Sequence, residues 1–420
     1  MKTLIDEFAD IKIMRFEVPG WDGLTLRQKG YAYHLSEAAR LGRDITWDQY
    51  CKWNLPVRHV VEDILERYRG DRECSDFQEF KVYAKRLFFS CGMHHHYAED
   101  KFFPDCPREY FRTLMDASGV SVDAEELLDV IYSPDICPRR RSDSKEGDIV
   151  ALSSVNFYEG VTRAEVEEYY SSLEDPGDPR PVAHGLNTKV VKEDGKVTEK
   201  PWKSGGMYGK AIDRIAEELL KAAEVTENER QKEALGILVE YYRTGDLKLW
   251  DEFNVAWVEE TSGSVDFING FIEDYDDPLG RKATWEGYVH IKDREASRRT
   301  ETLSANAQWF EDHSPVDPRF RKPRVKGVTA KVVNAVAMGG ATYPSTPIGI
   351  NLPNAEWIRK ERGSKSVTIS NITRAYDMAA LEAPRSALEE FAFDQAEIDA
   401  YKKYGSLVDE IHTDLHECLG

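Results

Sequence analysis

Cysteine is scarce in this chain of 420 residues, which has six cysteines and no Cys-x-x-Cys pair. A disulfide-stabilised secreted domain carries cysteines at a higher density, and a thiolate zinc site carries them in closely spaced pairs. The sequence therefore argues against a disulfide framework and against a cysteine-rich zinc site. It favours a reducing compartment.

Long apolar runs are also missing. The opening residues, MKTLIDEFADIKIMRF, alternate apolar and charged side chains too quickly to contain the apolar core of a signal peptide. No stretch approaches the ~20 apolar residues that a transmembrane helix needs. We expect a cytoplasmic protein without a membrane partner, and a signal upstream of this sequence is the alternative.

Basic residues are fewer than acidic residues. The chain has 76 acidic and 56 basic residues, which give a formal net charge of −20. Such a surface repels the phosphates of nucleic acids, so we expect no nucleic-acid partner. One compact basic run, CPRRRSDSK at 137–145, lies among serine, aspartate and glycine and is interpreted as a solvated loop.

The residue patterns predict three regions. Residues 1–260 are mainly helical, as in the amphipathic DFQEFKVYAKRLFFS, and contain a hairpin near 188–202 that turns at Asp194-Gly195. Residues 261–382 are rich in Val, Ile, Tyr and Phe and are punctuated by Gly and Pro, which is typical of strands in a mixed sheet or small barrel. Helices are expected to return at about Ala383 and to continue through 383–420.

The last predicted helix ends on DLHECLG without a stop signal before Gly420, so we expect a C-terminal portion to be missing. A zinc-peptidase helix places two histidines one turn apart, with a glutamate between them that takes a proton from metal-bound water. His416 and Glu417 match the first part of that motif. By itself, a His-Glu pair is weak support for catalysis.

Three longer stretches add to this signal: VDFINGFIEDYDDPLGRKATWEG at 265–287, GINLPN at 349–354 and HECLG at 416–420. Together they strongly resemble the dipeptidyl peptidase III family of zinc exopeptidases, peptidase family M49, bacterial type. The family motif is His-Glu-x-x-Gly-His, and HECLG matches its first five positions. GMHHHY and WKSGGMYGKAI also resemble the bacterial members. The resemblance covers all of this chain but only the first part of a family member.

The resemblance implies an α+β fold with two lobes. One lobe is mainly helical and carries zinc, the other contains a mixed β-barrel, and a cleft separates them. The implied activity is the release of N-terminal dipeptides from oligopeptides with a free amino terminus. Because the remaining zinc ligands of the family would lie beyond Gly420, we expect residues 1–420 alone to be inactive.

The resemblance also assigns roles to individual residues. His416 would be a zinc ligand, Glu417 the general base, and Tyr275 the group that contacts the scissile carbonyl. The residues expected to hold the free amino group of the substrate are Glu273, Glu286, Asn351 and Asn354. If Glu273 and Tyr275 share a strand, their spacing of two places both side chains on one face.

Plainer interpretations stay open for the same residues. Glu273 would then be a solvated strand carboxylate, Tyr275 the edge of a core, and the asparagines turn residues. A non-catalytic peptide-binding protein that keeps the cleft without the metal is the alternative function. His94 to His96 with Glu99, expected on a helix, could form a separate metal site. His412 is expected to pack beside the zinc helix, with adventitious chelation as the alternative.

Overall fold

Helices dominate the first part of the chain, as the sequence predicts. The computed structural model describes residues 2–120, 122–325, 329–382 and 387–419. An antiparallel pair, β1 (Leu4–Phe8) and β2 (Ile11–Met14), precedes the helices. The next elements, in chain order, are α1 (Leu26–Leu41), α2 (Arg43–Tyr50), α3 (Asn54–Arg67), α4 (Ser75–Phe89), α5 (Arg108–Ala117), α6 (Ala124–Tyr132), β3 (Tyr158–Glu159) and α7 (Arg163–Ser171).

The predicted hairpin is present. It consists of β4 (Thr188–Glu193) and β5 (Lys196–Pro201), and Glu193 pairs with Lys196 across a two-residue turn. Asp194 and Gly195 in the turn have φ values of 50° and 77°. Such left-handed residues match the twist of a tight hairpin, and Asp-Gly adopts them readily. β3 adds to β4 in parallel and completes a three-stranded sheet.

Three long helices follow the hairpin: α8 (Gly209–Glu224), α9 (Glu229–Thr244) and α10 (Leu247–Glu259). Their ends are set by local sequence. The side chain of Asn228 accepts a hydrogen bond from Gln231 N at the start of α9, and Gly245 ends that helix with φ of 75°. These caps satisfy backbone groups that the helix itself leaves unpaired.

The β-rich region forms one mixed sheet of five strands. The strands are β6 (Val265–Glu273), β7 (Thr284–Lys292), β8 (Thr329–Gly340), β9 (Gly349–Leu352) and β10 (Lys365–Ile369), in the order β6-β7-β8-β10-β9. β8 and β10 run parallel, and the other neighbours run antiparallel. The region also contains α11 (Arg294–Ala305), α12 (Ala307–His313) and α13 (Glu356–Glu361), which the sequence analysis did not predict.

The predicted barrel is not closed among the described strands, because β6 and β9 are both edge strands of the sheet. The sheet nevertheless curves enough for side chains to cross it. Lys365 of β10 places its Nζ 2.8 Å from the Asp266 carboxylate of β6. Asn354, just after β9, donates a hydrogen bond to the backbone oxygen of Ile272 in β6. Side chains thus span the gap that a closed barrel would fill with backbone pairing.

Helices return earlier than predicted. α14 (Ser370–Glu382) begins directly after β10 and is followed by α15 (Ala387–Phe391) and α16 (Gln395–Leu419). The position predicted for the return, Ala383, lies outside the described residues. The early start has a tertiary cause, because Asn371 binds both the N–H and the C=O of Ala335 in β8. The boundaries at 260 and 382 stay a prediction.

Helix α1 packs very closely on the sheet, and small residues make this possible. A Cβ added at Gly339 of β8 would lie 2.1 Å from the backbone oxygen of Ala39, and one at Gly287 of β7 would lie 2.7 Å from its Cα. Ala38 and Ala39 are both buried at this contact. The helix and the sheet therefore approach at a distance that only glycine permits.

We predict that Gly339→Ala lowers the free energy of unfolding by about 1–3 kcal/mol, the usual cost of overpacking a core. Denaturant unfolding followed by circular dichroism measures it. Gly236→Ala is the matched control, because Gly236 lies exposed within α9 and an added Cβ meets nothing within 4 Å. The control should raise the free energy of unfolding by about 0.5–1 kcal/mol. An unchanged stability for Gly339→Ala would contradict the close packing.

Candidate functional site

The site is built at the end of β6. A bulge between Phe271 and Glu273 bends this strand just before it ends. Asn354 donates one hydrogen bond to Glu273 Oε2 at 3.0 Å and another to Ile272 O at 3.2 Å. Two of the predicted site residues are therefore in direct contact. Asn351 is exposed on β9 opposite Ser366, and among the described residues it makes no hydrogen bond to Glu273.

Tyr275 lies beyond the strand, in the turn that follows it, so the predicted shared strand face is wrong. The turn still keeps the Tyr275 hydroxyl near the Glu273 carboxylate. The Glu273 charge, and burial after it, raises the pKa of Tyr275 to about 12. The side chain is 72% exposed. It is therefore a protonated hydroxyl at neutral pH that faces solvent beside a carboxylate.

Glu286 of β7 completes the acidic group. It lies opposite Gly270 of β6 and Gly340 of β8. Burial, followed by the charges of Glu273 and Asp276, raises its pKa well above the usual value. Burial likewise raises the pKa of Glu273, although the hydrogen bond from Asn354 opposes this rise.

No described lysine, arginine or histidine forms an ion pair with Glu273 or Glu286. Two carboxyl groups thus share a partly buried site without a basic partner. Such a site favours either a bound proton or an external cation, because a desolvated carboxylate is stabilised by an opposite charge.

Arg140 is a neighbour of this site that the sequence analysis misjudged. The basic run at 137–145 predicts a solvated loop, but Arg140 is only 5% exposed. Its Nε lies 3.0 Å from Asp276, its Nη2 lies 3.5 Å from Glu99, and its guanidinium stacks over Tyr50. The loop interpretation holds for 143–145, which are exposed. The partners of Arg140 come from distant parts of the chain, so the local sequence gave no signal for its burial.

A cavity of about 610 Å³ adjoins Glu273 and Asn354. It lies between the end of β6, the residues after β9 and helix α10. Its apolar wall includes Trp250, Trp257, Phe267, Ile272 and Leu352. Asp251 also lines it, and burial raises the pKa of this carboxyl to about 7. Glu273 therefore faces an apolar space large enough for several side chains of a ligand.

The metal predictions are not tested by the structure. His416 and Glu417 fall in the last turns of α16, but their side chains lie outside the described residues. Within the described residues, no group of three or more His, Cys, Asp or Glu side chains is arranged to hold a metal ion. His412 is exposed, so the expected packing beside the helix is not seen in the part of the chain described.

The histidine triplet is not helical, contrary to the prediction, because α4 ends at Phe89. His94 Nε2 contacts the backbone oxygen of Cys137 at 2.9 Å, and His95 Nε2 lies 3.2 Å from Asp10. The first two histidines thus have separate protein partners. The triplet therefore gives no support to the separate metal site with Glu99.

The sequence profile of peptidase family M49 matches residues 186–420, more than half of the chain. The chain belongs to peptidase family M49. Dipeptidyl peptidase 3 of Homo sapiens is 24% identical over 439 residues, which cover 94% of this chain and 58% of the human protein. The M49 chain thus spans less than two thirds of the length of this curated relative.

Two solved structures share the fold of this M49 chain. The structure of DPP III from Caldithrix abyssi has a TM-score of 0.69 at 20% identity and covers 95% of this chain and 64% of its own. The structure of dipeptidyl-peptidase III from Corallococcus sp. strain EGB has a TM-score of 0.62 at 22% identity, with coverage of 86% and 57%. Both confirm the predicted α+β class.

We predict that Glu286→Gln stabilises this M49 chain at neutral pH. The pKa of Glu286 is higher in the folded state than in the unfolded chain, where it is about 4.3, so the folded state binds the proton more tightly. The free energy of unfolding therefore falls as the pH rises above about 4.3. The free energy of unfolding at pH 7 should increase by about 0.5–2 kcal/mol, with little change near pH 4. Denaturant titrations at both pH values measure it.

Glu224→Gln is the control for this experiment, because Glu224 is exposed at the end of α8. It should change stability little at either pH. An equal gain from Glu286→Gln at both pH values would mean that burial of the charge is not the cause.

Proposed function

We propose that this chain belongs to a zinc-dependent dipeptidyl peptidase that releases dipeptides from the free amino end of oligopeptides. The observation that supports this most is the acidic pair Glu273 and Glu286, which has no basic partner among the described residues and of which Glu273 lines a cavity. A peptide ammonium group would supply the missing positive charge. Membership of family M49 and the likeness to dipeptidyl peptidase 3 support the same reaction.

The amino end of a substrate would be held by several acceptors. Glu273 and Glu286 would pair with the ammonium group, and the Asn354 amide oxygen would accept from it, because the Asn354 nitrogen already faces Glu273. Asn351 would add an acceptor from β9. β9 is an edge strand, so an extended peptide could pair with its free side through backbone hydrogen bonds. Such pairing tolerates varied substrate sequences.

The position of the amine fixes the site of cleavage. Two extended residues span about 7 Å, so a clamped ammonium group places the second peptide bond at a set distance from Glu273. Tyr275 stands two residues after Glu273 and is protonated at neutral pH. Its hydroxyl would donate a hydrogen bond to the carbonyl oxygen of that bond as negative charge develops there.

The proposed zinc ligand and general base belong to the His-Glu motif at the end of α16. An imidazole followed directly by a carboxylate fits the donor set of a zinc peptidase, with His416 as a ligand and Glu417 as the general base. Zinc, when bound, lowers the pKa of its water towards neutrality. Glu417 would take the proton of the attacking water and pass it to the leaving amine. We also propose that a helical lobe carries the zinc and faces the β-rich part across a cleft.

The expected partners are oligopeptides with free amino ends, in the cytoplasm. The net charge of −20 suits neutral or basic peptides and disfavours nucleic acid. None of the helices in the described ranges has the length and hydropathy required to cross a membrane. A non-catalytic peptide-binding protein is the second candidate, because the acidic pair and its cavity would bind amines without the metal.

We predict that residues 1–420 bind a tetrapeptide with a free amino end about 10–100-fold more tightly than the same peptide with an acetylated amino end. This is the difference in affinity expected for one hydrogen bond to a charged group. Isothermal titration at neutral pH measures both affinities. Glu273→Gln should narrow the difference, whereas Glu224→Gln, on an exposed surface, should leave it intact. Equal affinity for both peptides would exclude the amine clamp. Mass spectrometry of dipeptide release by the native zinc-loaded enzyme then separates catalysis from binding.

We predict that Tyr275→Phe in the native zinc-loaded enzyme lowers kcat by about 10²-fold with little change in KM. This is the pattern of a hydrogen bond made mainly in the transition state. Steady-state hydrolysis of a dipeptidyl arylamide measures both constants. Tyr376→Phe is the control, because Tyr376 is also exposed but lies on α14. A wild-type kcat for Tyr275→Phe would remove Tyr275 from the reaction.

A further inference from the structure

Two free cysteines face each other at some distance from the acidic pair. Cys51 caps the end of α2, and Cys137 lies in the loop after α6. They are 86 residues apart in sequence, yet their Sγ atoms are only 3.7 Å apart. An S–S bond requires about 2.05 Å, so a modest side-chain movement would bring the two sulfurs to bonding distance.

The other described cysteines have different partners. Cys74 contacts the Tyr110 hydroxyl at 3.2 Å, and Cys106 contacts the Tyr132 hydroxyl at 3.6 Å. Cys91 is fully buried, and burial raises the pKa of its thiol to about 12. Within the described residues, Cys51 and Cys137 are therefore the thiols that lie in contact with each other.

The loop that carries Cys137 is held in place by neighbouring side chains. Lys101 donates hydrogen bonds to the backbone oxygens of Ser133 and Ile136, each at 2.8 Å. His94 contacts the backbone oxygen of Cys137 at 2.9 Å. These contacts fix the backbone on both sides of the thiol, so the short distance between the sulfurs is a property of the packed loop.

The two thiols differ in character. Cys137 is half-buried, and the hydrogen bond from Cys51, followed by Ser154 and the positive charge of Lys101, lowers its pKa. Cys51 is fully buried, and the contact with Cys137 together with burial raises its pKa. Cys137 is therefore the more accessible and the more acidic thiol of the two. Cys51 is a protected thiol beside it.

We propose that Cys51 and Cys137 form a redox modification site at which hydrogen peroxide converts the two thiols into a disulfide. The Cys137 thiolate attacks one peroxide oxygen, the O–O bond breaks, and hydroxide leaves and takes up a proton to form water. The resulting sulfenic acid is attacked by the Cys51 sulfur, which loses its proton as the second water departs. Two thiols and one peroxide thus give one disulfide and two waters.

This site is separate from the proposed peptidase chemistry and is consistent with a reducing compartment. Disulfides in such compartments are usually transient and respond to oxidants. The bond would tie the end of α2 to the loop that continues into Arg140, whose guanidinium reaches Asp276. The modification would therefore act on the loop that supports the turn containing Tyr275.

The test uses the full chain, reduced with dithiothreitol, desalted and exposed to a few equivalents of hydrogen peroxide. Remaining thiols are alkylated, and a digest made without reductant is examined by mass spectrometry. We expect a linked peptide pair containing Cys51 and Cys137, lighter by two hydrogens than the separate peptides and lost after dithiothreitol. Cys106→Ser is the matched control and should form the same link, because Cys106 is buried with another partner.

Two variants test the order of events. Cys51→Ser should stop at the sulfenic acid on Cys137, which dimedone traps, and Cys137→Ser should leave Cys51 as a free thiol. Three results in the wild-type chain would each overturn the proposal: both thiols remain reduced, Cys137 passes to the sulfinic acid without a link, or either residue links to another cysteine.

Discussion

Two carboxyl groups at the end of the β6–β7 strand pair, without an ion-pair partner among the described residues, are the constraint on which the candidate site depends. The antiparallel pairing places Glu273 and Glu286 near each other, and burial raises the pKa of both. Holding two carboxyl groups there costs folding free energy that the sheet and its helices must offset. A protein gains nothing in stability from this arrangement, and this is why we propose that the pair binds a cationic ligand. The amino end of a peptide is such a ligand.

Asp276 shows what the chain does when it neutralises a carboxylate itself. Arg140 approaches Asp276 to 3.0 Å and is shielded from solvent by Tyr50. This ion pair connects the turn after β6 to the N-terminal part of the chain. Glu273, three residues earlier, accepts a hydrogen bond from the neutral amide of Asn354 and has no ion-pair partner among the described residues. Asp276 is thus neutralised within the fold, whereas Glu273 stays available for the proposed peptide amine. The ion pair also anchors the turn that carries the exposed Tyr275 on its buried side.

Local signals in the sequence predicted much of this fold. The hairpin at Asp194-Gly195 needs two left-handed residues, and the dipeptide that supplies them stands between two alternating runs. The helices α8 to α10 have apolar residues at helical spacing. The caps of α9 and α10 are residues directly beside the helix, such as Asn228 and Asp246. The acidic residues of the site were found by family resemblance because they lie in one contiguous stretch, 265–287. The structure places Asn354 in contact with Glu273, and the Glu273 charge is close enough to Glu286 to raise its pKa.

The failures share a physical cause, which is dependence on partners far away in sequence. A helix begins at Ser370 within a region whose composition predicts strands, and Asn371 in its first turn binds both the N–H and the C=O of Ala335 in β8. Arg140 was assigned to solvent because its carboxylate partners come from other segments. Barrel closure depends on whether the two edge strands β6 and β9 meet. Here β6 is reached from the β9 edge only by side chains, those of Asn354 after β9 and Lys365 on β10, among the described residues. A residue pattern specifies what a segment can form, but the free energy of burying a charge depends on which partner the fold brings to it.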